Sequence, residues 1–486
     1  MNEKARTFYN AIYADGHFEK IELGPLVNRG GAAGKIFLNA TNPKTVAKVF
    51  HDKQKSSSNR KKLEAMLHNP PVFPPAVKDE VEYVQIAWPI AILEDEMSFC
   101  VGYLMPLIDM KKAVSLDHLM QKAIRKKLSL PEKYAYRIFA AYNVASMVYA
   151  LHKAGHYVVD LKPSNIYVYK ETMMVAMLDC DGFSIKGEYN DRHVAEFVSE
   201  EYIYPEGMNQ SCAEMGEEQD KFALAVIIFR LLNGGIHPYS GTPRKTDAKM
   251  LTIQERIEEF HYAYGLWPDT YQAPHPYSIH EYFDKKTLEF FERAFTKNQK
   301  RPDAKEWKEH IWELLHNLKT CKKDYNHVYF SSKGCGLCIV EEKFKENITN
   351  IQKKIDAPQT LRGVEVSELS TENVQKNKIE QIIKDNKIQN FAIGGISAFM
   401  IFFTFFYKIT DLFQKEIQSC GLAFQFLFVT IIMILINRLI KKISPFVNIL
   451  QNRALTEMLQ IYALVCMLIA MIWINDFPNE IFALTF

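Results

Sequence analysis

Val159-Asp160-Leu161-Lys162-Pro163-Ser164-Asn165 is the stretch from which the rest of the chain can be read, and Asp179 follows fourteen residues after Asn165. A carboxylate, an ammonium and a carboxamide fall within six residues, and a second carboxylate stands after the apolar run Val175-Ala176-Met177-Leu178. A loop that merely contains Asp, Lys and Asn is the plain alternative. The surroundings argue against it. Residues 132–154 and 220–232 flank the stretch as long segments with apolar residues at helical spacing, and residues 131–318 read as mostly helical. Residues 21–26, 35–38 and 45–50 are short, rich in β-branched or apolar residues and separated by Gly and Pro, so they read as strands. Residues 60–68 carry Leu63, Met66 and Leu67 at helical spacing and stop at Asn69-Pro70-Pro71.

The order D-x-K-P-x-N followed by a lone Asp resembles the catalytic core of a protein kinase. A small strand-rich lobe ahead of a larger helical lobe resembles the layout of the same family. The resemblance covers residues 20–318 and is nearest to the bacterial eukaryotic-like serine/threonine kinases. It implies an α+β, bilobal protein kinase-like fold, with ATP bound between the lobes. Asp160 would accept or orient the proton of the substrate hydroxyl, and Lys162 would neutralise the phosphoryl group in transit. Asn165 and Asp179 would hold Mg²⁺.

Further positions fit the resemblance. Arg29-Gly30-Gly31-Ala32-Ala33-Gly34-Lys35-Ile36 lies between two predicted strands and looks like the glycine-rich loop over ATP phosphates, with Gly30, Gly31, Gly34 and Ile36 as candidates. Arg29 stands where the family has its first glycine. Val46-Ala47-Lys48 resembles the strand whose lysine meets the α and β phosphates. Glu64, the acidic residue in 60–68, is the candidate to position that lysine. Tyr103-Leu104-Met105-Pro106 resembles the hinge that binds adenine, with Met105 as the candidate. Pro205-Glu206, Asp220 and Arg301-Pro302 match structural positions, and Glu206 with Arg301 is expected as a buried ion pair.

Two departures stand out. Val158 and Val159 replace the usual His and Arg, which implies activity that does not depend on a phosphate in the activation segment; substitutions at Ser184, Ser199 or Tyr202 should then matter little. In Leu178-Asp179-Cys180-Asp181-Gly182-Phe183 the family's Asp-Phe-Gly is altered. Asp179 fits its first position best, with Asp181 as an auxiliary carboxylate or as the start of a shifted register.

Cys321, His327, Cys335 and Cys338 follow the last predicted kinase helix. Three thiolates and an imidazole can complete a tetrahedral zinc shell, and C-x-x-C lets two sulfurs face one ion. A redox pair and free loop cysteines are the alternatives. The predicted knuckle spans 319–342 and is structural. Residues 343–387 form a polar, partly helical linker with Phe344, Ile348, Ile351 and Ile355 in 4-3-4 spacing.

The 486 residues allow more than one domain, and a net charge of +2 with 24% charged residues excludes a generic nucleic-acid binder. The first twenty residues carry charges and no apolar core, so no signal peptide is expected. Residues 391–407, 420–436 and 458–474 are apolar blocks near the ~17 residues at the short end of a membrane span. The region 388–486 therefore reads as a membrane anchor of about three transmembrane helices. Lys376, Lys378, Lys384 and Lys387 precede the first block, and Arg438, Lys441, Lys442 and Arg453 lie between the second and third. That bias places the kinase domain in the cytoplasm, on a multi-pass protein of the inner (cell) membrane, with its C-terminus outside. The reading is a membrane-anchored protein kinase acting on Ser/Thr hydroxyls of a protein partner that the sequence does not identify. Its rivals are a pseudokinase scaffold and a small-molecule phosphotransferase.

Overall fold

The computed structural model describes residues 7–28, 33–52, 56–189, 191–247 and 249–356. The chain divides into residues 1–357 and 358–486, and all the described residues lie in the first unit. Gly30 and Gly31 of the predicted phosphate loop fall outside the described residues, as do the three apolar blocks and the rest of 388–486. Among the described residues, no helix is long and apolar enough to cross a membrane.

The N-terminal lobe is a closed antiparallel barrel. Its strands are β1 (Phe8–Tyr13), β2 (Phe18–Asn28), β3 (Gly34–Asn39), β4 (Thr45–Phe50), β5 (Ala91–Glu94) and β6 (Cys100–Pro106), hydrogen-bonded in the order β1-β2-β3-β4-β6-β5. Pairing of β1 with β5, Ala11 opposite Leu93, closes the ring. The lobe thus begins ahead of the expected start at residue 20. Small inward residues make so narrow a barrel possible: Ala11, Ala47 and Ala91 are fully buried beside Ile21, Leu93 and Leu104. Gly102 is required by the same tightness, because a Cβ there would sit 2.0 Å from the Lys48 carbonyl oxygen. Helix α1 (Ser56–His68) packs on β5 and β6 through Leu63 and Met66, both essentially buried.

The second lobe is helical around α2 (Tyr134–Lys153) and α3 (Glu217–Leu232). From Phe222 to Leu232, α3 is buried at every position but Arg230. A helix apolar on all sides belongs in the centre of a core, and α2 packs against it. Helices α4 (Lys285–Phe295) and α5 (Ala304–His316) complete the lobe, with Trp307 and Phe291 fully buried between them and α3. A three-stranded sheet on this lobe joins β7 (Ala113–Ser115), β8 (Ile166–Tyr169) and β9 (Val175–Met177), with β8 central. Beyond α5, a short hairpin of β10 (Lys319–Thr320) and β11 (Val328–Tyr329) leads to α6 (Gly336–Asp356). This helix starts inside the predicted knuckle and continues past residue 342. Phe344 and Ile348 lie on it, each about half exposed.

Candidate active site

The hairpin β8–β9 sets the site. Ile166 pairs with Met177, and the Leu178 N–H donates to the Asn165 carbonyl at 2.9 Å. Asn165 and Asp179 therefore emerge together from one open end of the hairpin. Pro163 opens the single turn Pro163–Asn165 with its φ already fixed and no N–H to satisfy. That turn brings Asn165 back toward Asp160, whose backbone oxygen accepts from Asn165 Nδ2 at 3.3 Å.

Asp160 is the centre of a tight polar group. Its Oδ2 lies 2.6 Å from Lys162 Nζ, and its Oδ1 accepts from Ser199 Oγ at 2.7 Å. Lys162 Nζ also donates to Ser199 Oγ at 2.9 Å. The structure thus brings together Asp160, Lys162 and Asn165 as the sequence predicted and adds Ser199, which it missed. A serine six residues ahead of Pro205-Glu206 was the available signal. The Ser199 hydroxyl bridges the carboxylate and the ammonium, a placement that argues against the expectation that Ser199 matters little. Ser199→Ala should lower kcat roughly ten- to hundredfold, the weight of a hydrogen bond to charged groups, with ATP KM unchanged in steady-state assays. Tyr202 is likewise placed, buried and bonded to Arg230. Beside Lys162 and Ser199 opens a cavity of about 500 Å³, lined also by Asp117, Glu201 and Arg230.

The loop under Asp160 is held by α3. Asp220, fully buried, accepts from the Val158 N–H at 2.7 Å and the Val159 N–H at 2.8 Å, and its Oδ2 lies 2.9 Å from His152 Nε2. Gln219 donates to the carbonyls of Val159 (3.1 Å) and Tyr202 (2.8 Å), clamping the loop to the segment that carries Ser199. Val159 adopts φ 62°, a left-handed conformation that a β-branched residue takes only under constraint. Its side chain packs with Ala195, Ile203 and Met215. An apolar plug fills the place where the resemblance has an arginine.

Lys48 reaches the site from β4, only 4% exposed. Its Nζ lies 2.6 Å from Asp181 Oδ1 and 3.5 Å from Asp179 Oδ1. Tyr103 Oη donates to the same Asp181 oxygen at 2.9 Å. Burial pulls the Lys48 ammonium toward neutrality, but the charges of Asp181 and Asp179 more than offset this and leave its pKa above the ordinary value. Burial pushes Asp181 up, yet Lys48 and Tyr103 hold it below the usual carboxylate range.

The expected partner of Lys48 is elsewhere. Glu64 bonds Arg60 Nε at 2.8 Å, and Arg60 also pairs with Glu94. The α1 residue facing Asp181 and Glu196 is Lys62, whose burial, partly offset by those carboxylates, lowers its pKa to about 8. Of the two carboxylates that the altered motif offers, the Asp179 side chain is 63% exposed, while that of Asp181 is 13% exposed and engaged by Lys48. Gly34 has a packing reason, since a Cβ there would lie 2.5 Å from the Val49 carbonyl. Ile36 pairs with Lys48 across β3–β4, and Met105, nearly buried, pairs with Val46. Arg301 is 7% exposed and bonds Glu206 at 2.6 Å, but Glu206 is half exposed, so the ion pair is buried on one side only.

Away from this site, the ligand atoms of Cys321, His327, Cys335 and Cys338 all lie within 4.8 Å of one another. Cys321 and Cys338 sulfurs are 3.5 Å apart, and His327 Nδ1 is 3.3 Å from Cys338. The bond from Cys321 N–H to the His327 carbonyl closes the hairpin that pairs two of the ligands.

Residues 94–313 match the protein kinase domain family. The chain is 28% identical over 323 residues to the protein kinase YegI of Escherichia coli strain K12, covering 64% of this chain and 47% of that protein. It is likewise 28% identical over 324 residues to the protein of the same name in Escherichia coli O157:H7, with the same coverage. The chain spans about half the length of these curated relatives. The matched region, residues 94–313, is a mixture of helix and strand and covers less than half of the chain.

Proposed function

We propose that this protein is an ATP-dependent protein kinase that phosphorylates Ser/Thr hydroxyls of a protein substrate. The observation that carries the reading is the Asp160–Lys162–Ser199 group beside Asn165 and Asp179. Asp160 accepts a bond from a serine hydroxyl, the chemical group it would have to orient. Lys162, in contact with the same hydroxyl, lies where charge on a transferring phosphoryl group needs neutralising. An exposed carboxylate and a carboxamide, Asp179 and Asn165, supply the hard oxygen donors that Mg²⁺ takes. Bound there, the ion would shield the phosphates. Lys48, held charged by two carboxylates, suits the remaining phosphates. The relatives' name supports the same activity. Incubation with γ-labelled ATP and a basic protein substrate should label Ser or Thr. A protein that binds Mg-ATP and labels neither itself nor any substrate would be a scaffold instead.

The Cys/His group fits a structural Zn²⁺. Four donors within 4.8 Å suit a tetrahedral ion with Zn–S bonds near ~2.3 Å. The other nitrogen of His327, Nε2, faces Asp324 at 3.7 Å and Glu341 at 3.6 Å, carboxylates able to orient the ring. Purified protein should hold about one zinc per chain, and Cys335→Ser should lose it together with thermal stability. Elemental analysis and melting curves check this; a metal-free protein of equal stability would exclude it. Residues 388–486 form a membrane anchor in this reading, supported by the three apolar blocks and the lysine and arginine bias. A periplasm-dependent phosphatase fused after Phe486 should be active, and one fused near Ser444 inactive. The reverse pattern would mean that the third block does not cross.

A further inference from the structure

We propose that Asp181 is the positioning residue for Lys48, doing from the turn after β9 what the resemblance assigned to a carboxylate on α1. The inference rests on the kinase reading and adds to it the group that aims the phosphate-binding lysine.

Three observations carry it. The Lys48 ammonium makes its short contact, 2.6 Å, with Asp181. That carboxylate is fixed in turn by Tyr103 Oη at 2.9 Å, from the strand paired with β4; Lys48 and Tyr103 are register partners there. Asp181 is therefore tied to the lysine by charge and to the lysine's neighbouring strand by a hydrogen bond. The turn Cys180–Gly182 then sorts the two carboxylates. Asp179, in left-handed conformation at φ 54°, points outward; Cys180 is buried; Asp181 turns in beneath Lys48. Finally, α1 offers no competing acid. The α1 side chain that feels Asp181 and Lys48 is Lys62, a second cation, and Glu64 is engaged with Arg60.

The arrangement has a mechanical meaning. A lysine aimed by a carboxylate on α1 is released whenever that helix swings away. Here the aiming carboxylate and the exposed Asp179 share one short turn, so lysine and metal-ligand candidates move together, independently of α1.

The test uses the full chain. Asp181→Asn keeps the shape and removes the charge; ATP KM should rise about tenfold or more, as when a buried pair loses one member. Glu64→Gln should leave ATP KM within about twofold, as expected of an exposed pair. A readout that simple loss of structure would not move is the pH profile of Lys48 labelling by a small amine-reactive anhydride, followed on its peptide by mass spectrometry. The groups facing Lys48 are Asp181 and Asp179 from the turn, Tyr103 from β6 and Lys62 from α1. Without the Asp181 charge, burial is opposed by Asp179 alone, so the labelling midpoint should fall. Should Asp181→Asn fail to fold, Tyr103→Phe takes its place. It frees one tether and keeps both charges, so ATP KM should rise about two- to fivefold with kcat unchanged. Unchanged KM and unchanged labelling midpoint in an active, folded variant overturn the proposal. An inactive wild type that binds no nucleotide overturns the kinase reading itself, a separate result.

Discussion

Asp179→Asn should abolish phosphoryl transfer and weaken Mg-ATP binding, whereas Asp160→Asn should abolish transfer and leave Mg-ATP binding near wild type. The two carboxylates differ in what surrounds them. Asp179 is the outward acid of the turn, 63% exposed and only 3.5 Å from Lys48, so it is available to a cation on the nucleotide. Asp160 is held by Lys162 and Ser199, groups belonging to the acceptor side, and of its carboxylate only Oδ2 faces Asn165, at 3.5 Å. Each loss should cost roughly 10²–10³-fold or more in kcat, the scale of removing one preorganised electrostatic group. Label transfer measures the first effect and nucleotide titration the second. Equal losses of binding in both variants would mean that Asp160 also holds the nucleotide. Full transfer by Asp179→Asn would remove it from the metal site.

Asp220→Ala should be the most damaging single change to the fold near the site. It would leave the Val158 and Val159 N–H groups and His152 without their acceptor in a fully buried place. Each orphaned buried donor costs about 1–3 kcal/mol, so the three together cost roughly 3–9 kcal/mol. The same two bonds hold Val159 at positive φ, and without them the loop should relax and carry Asp160 away from Lys162. Denaturant midpoints should fall sharply and transfer with them. Asp220→Asn should lose less, because its carbonyl oxygen still serves one N–H. Equal stability of Asp220→Ala and wild type would show that the loop is held elsewhere.

Much of this site was legible because its chemistry is local. Asp160, Lys162 and Asn165 sit in one turn, and a turn of three residues leaves little freedom for where side chains end up. Lys48 was readable from a strand with apolar neighbours. Glu64 was misread because sequence does not tell which face of a short helix looks inward. Two residues on from Lys62 is about 200° around the helix, so if Lys62 faces the cleft Glu64 faces away. The role of Asp181 stayed open for a related reason: the conformation of Asp179, which decides which carboxylate turns in, is not encoded in residue type. Strand β1 went unread because Phe8–Tyr13 follows a charged start and becomes a strand only through its two barrel neighbours. The family match begins at residue 94, so Lys48, α1 and most of the barrel lie outside the matched region. Reasoning by resemblance had the least support there.

Closure of that barrel has a consequence for handling the protein. An open sheet offers unpaired N–H and C=O groups at its edges, which template strand addition and aggregation. Here β1 covers both would-be edges, pairing with β2 on one side and β5 on the other. A chain begun after Tyr13, as the resemblance alone would suggest, strips that cover from two strands at once. Such a fragment should be prone to self-association even with every residue of the site intact, and the six residues Phe8–Tyr13 are a solubility element for the whole lobe.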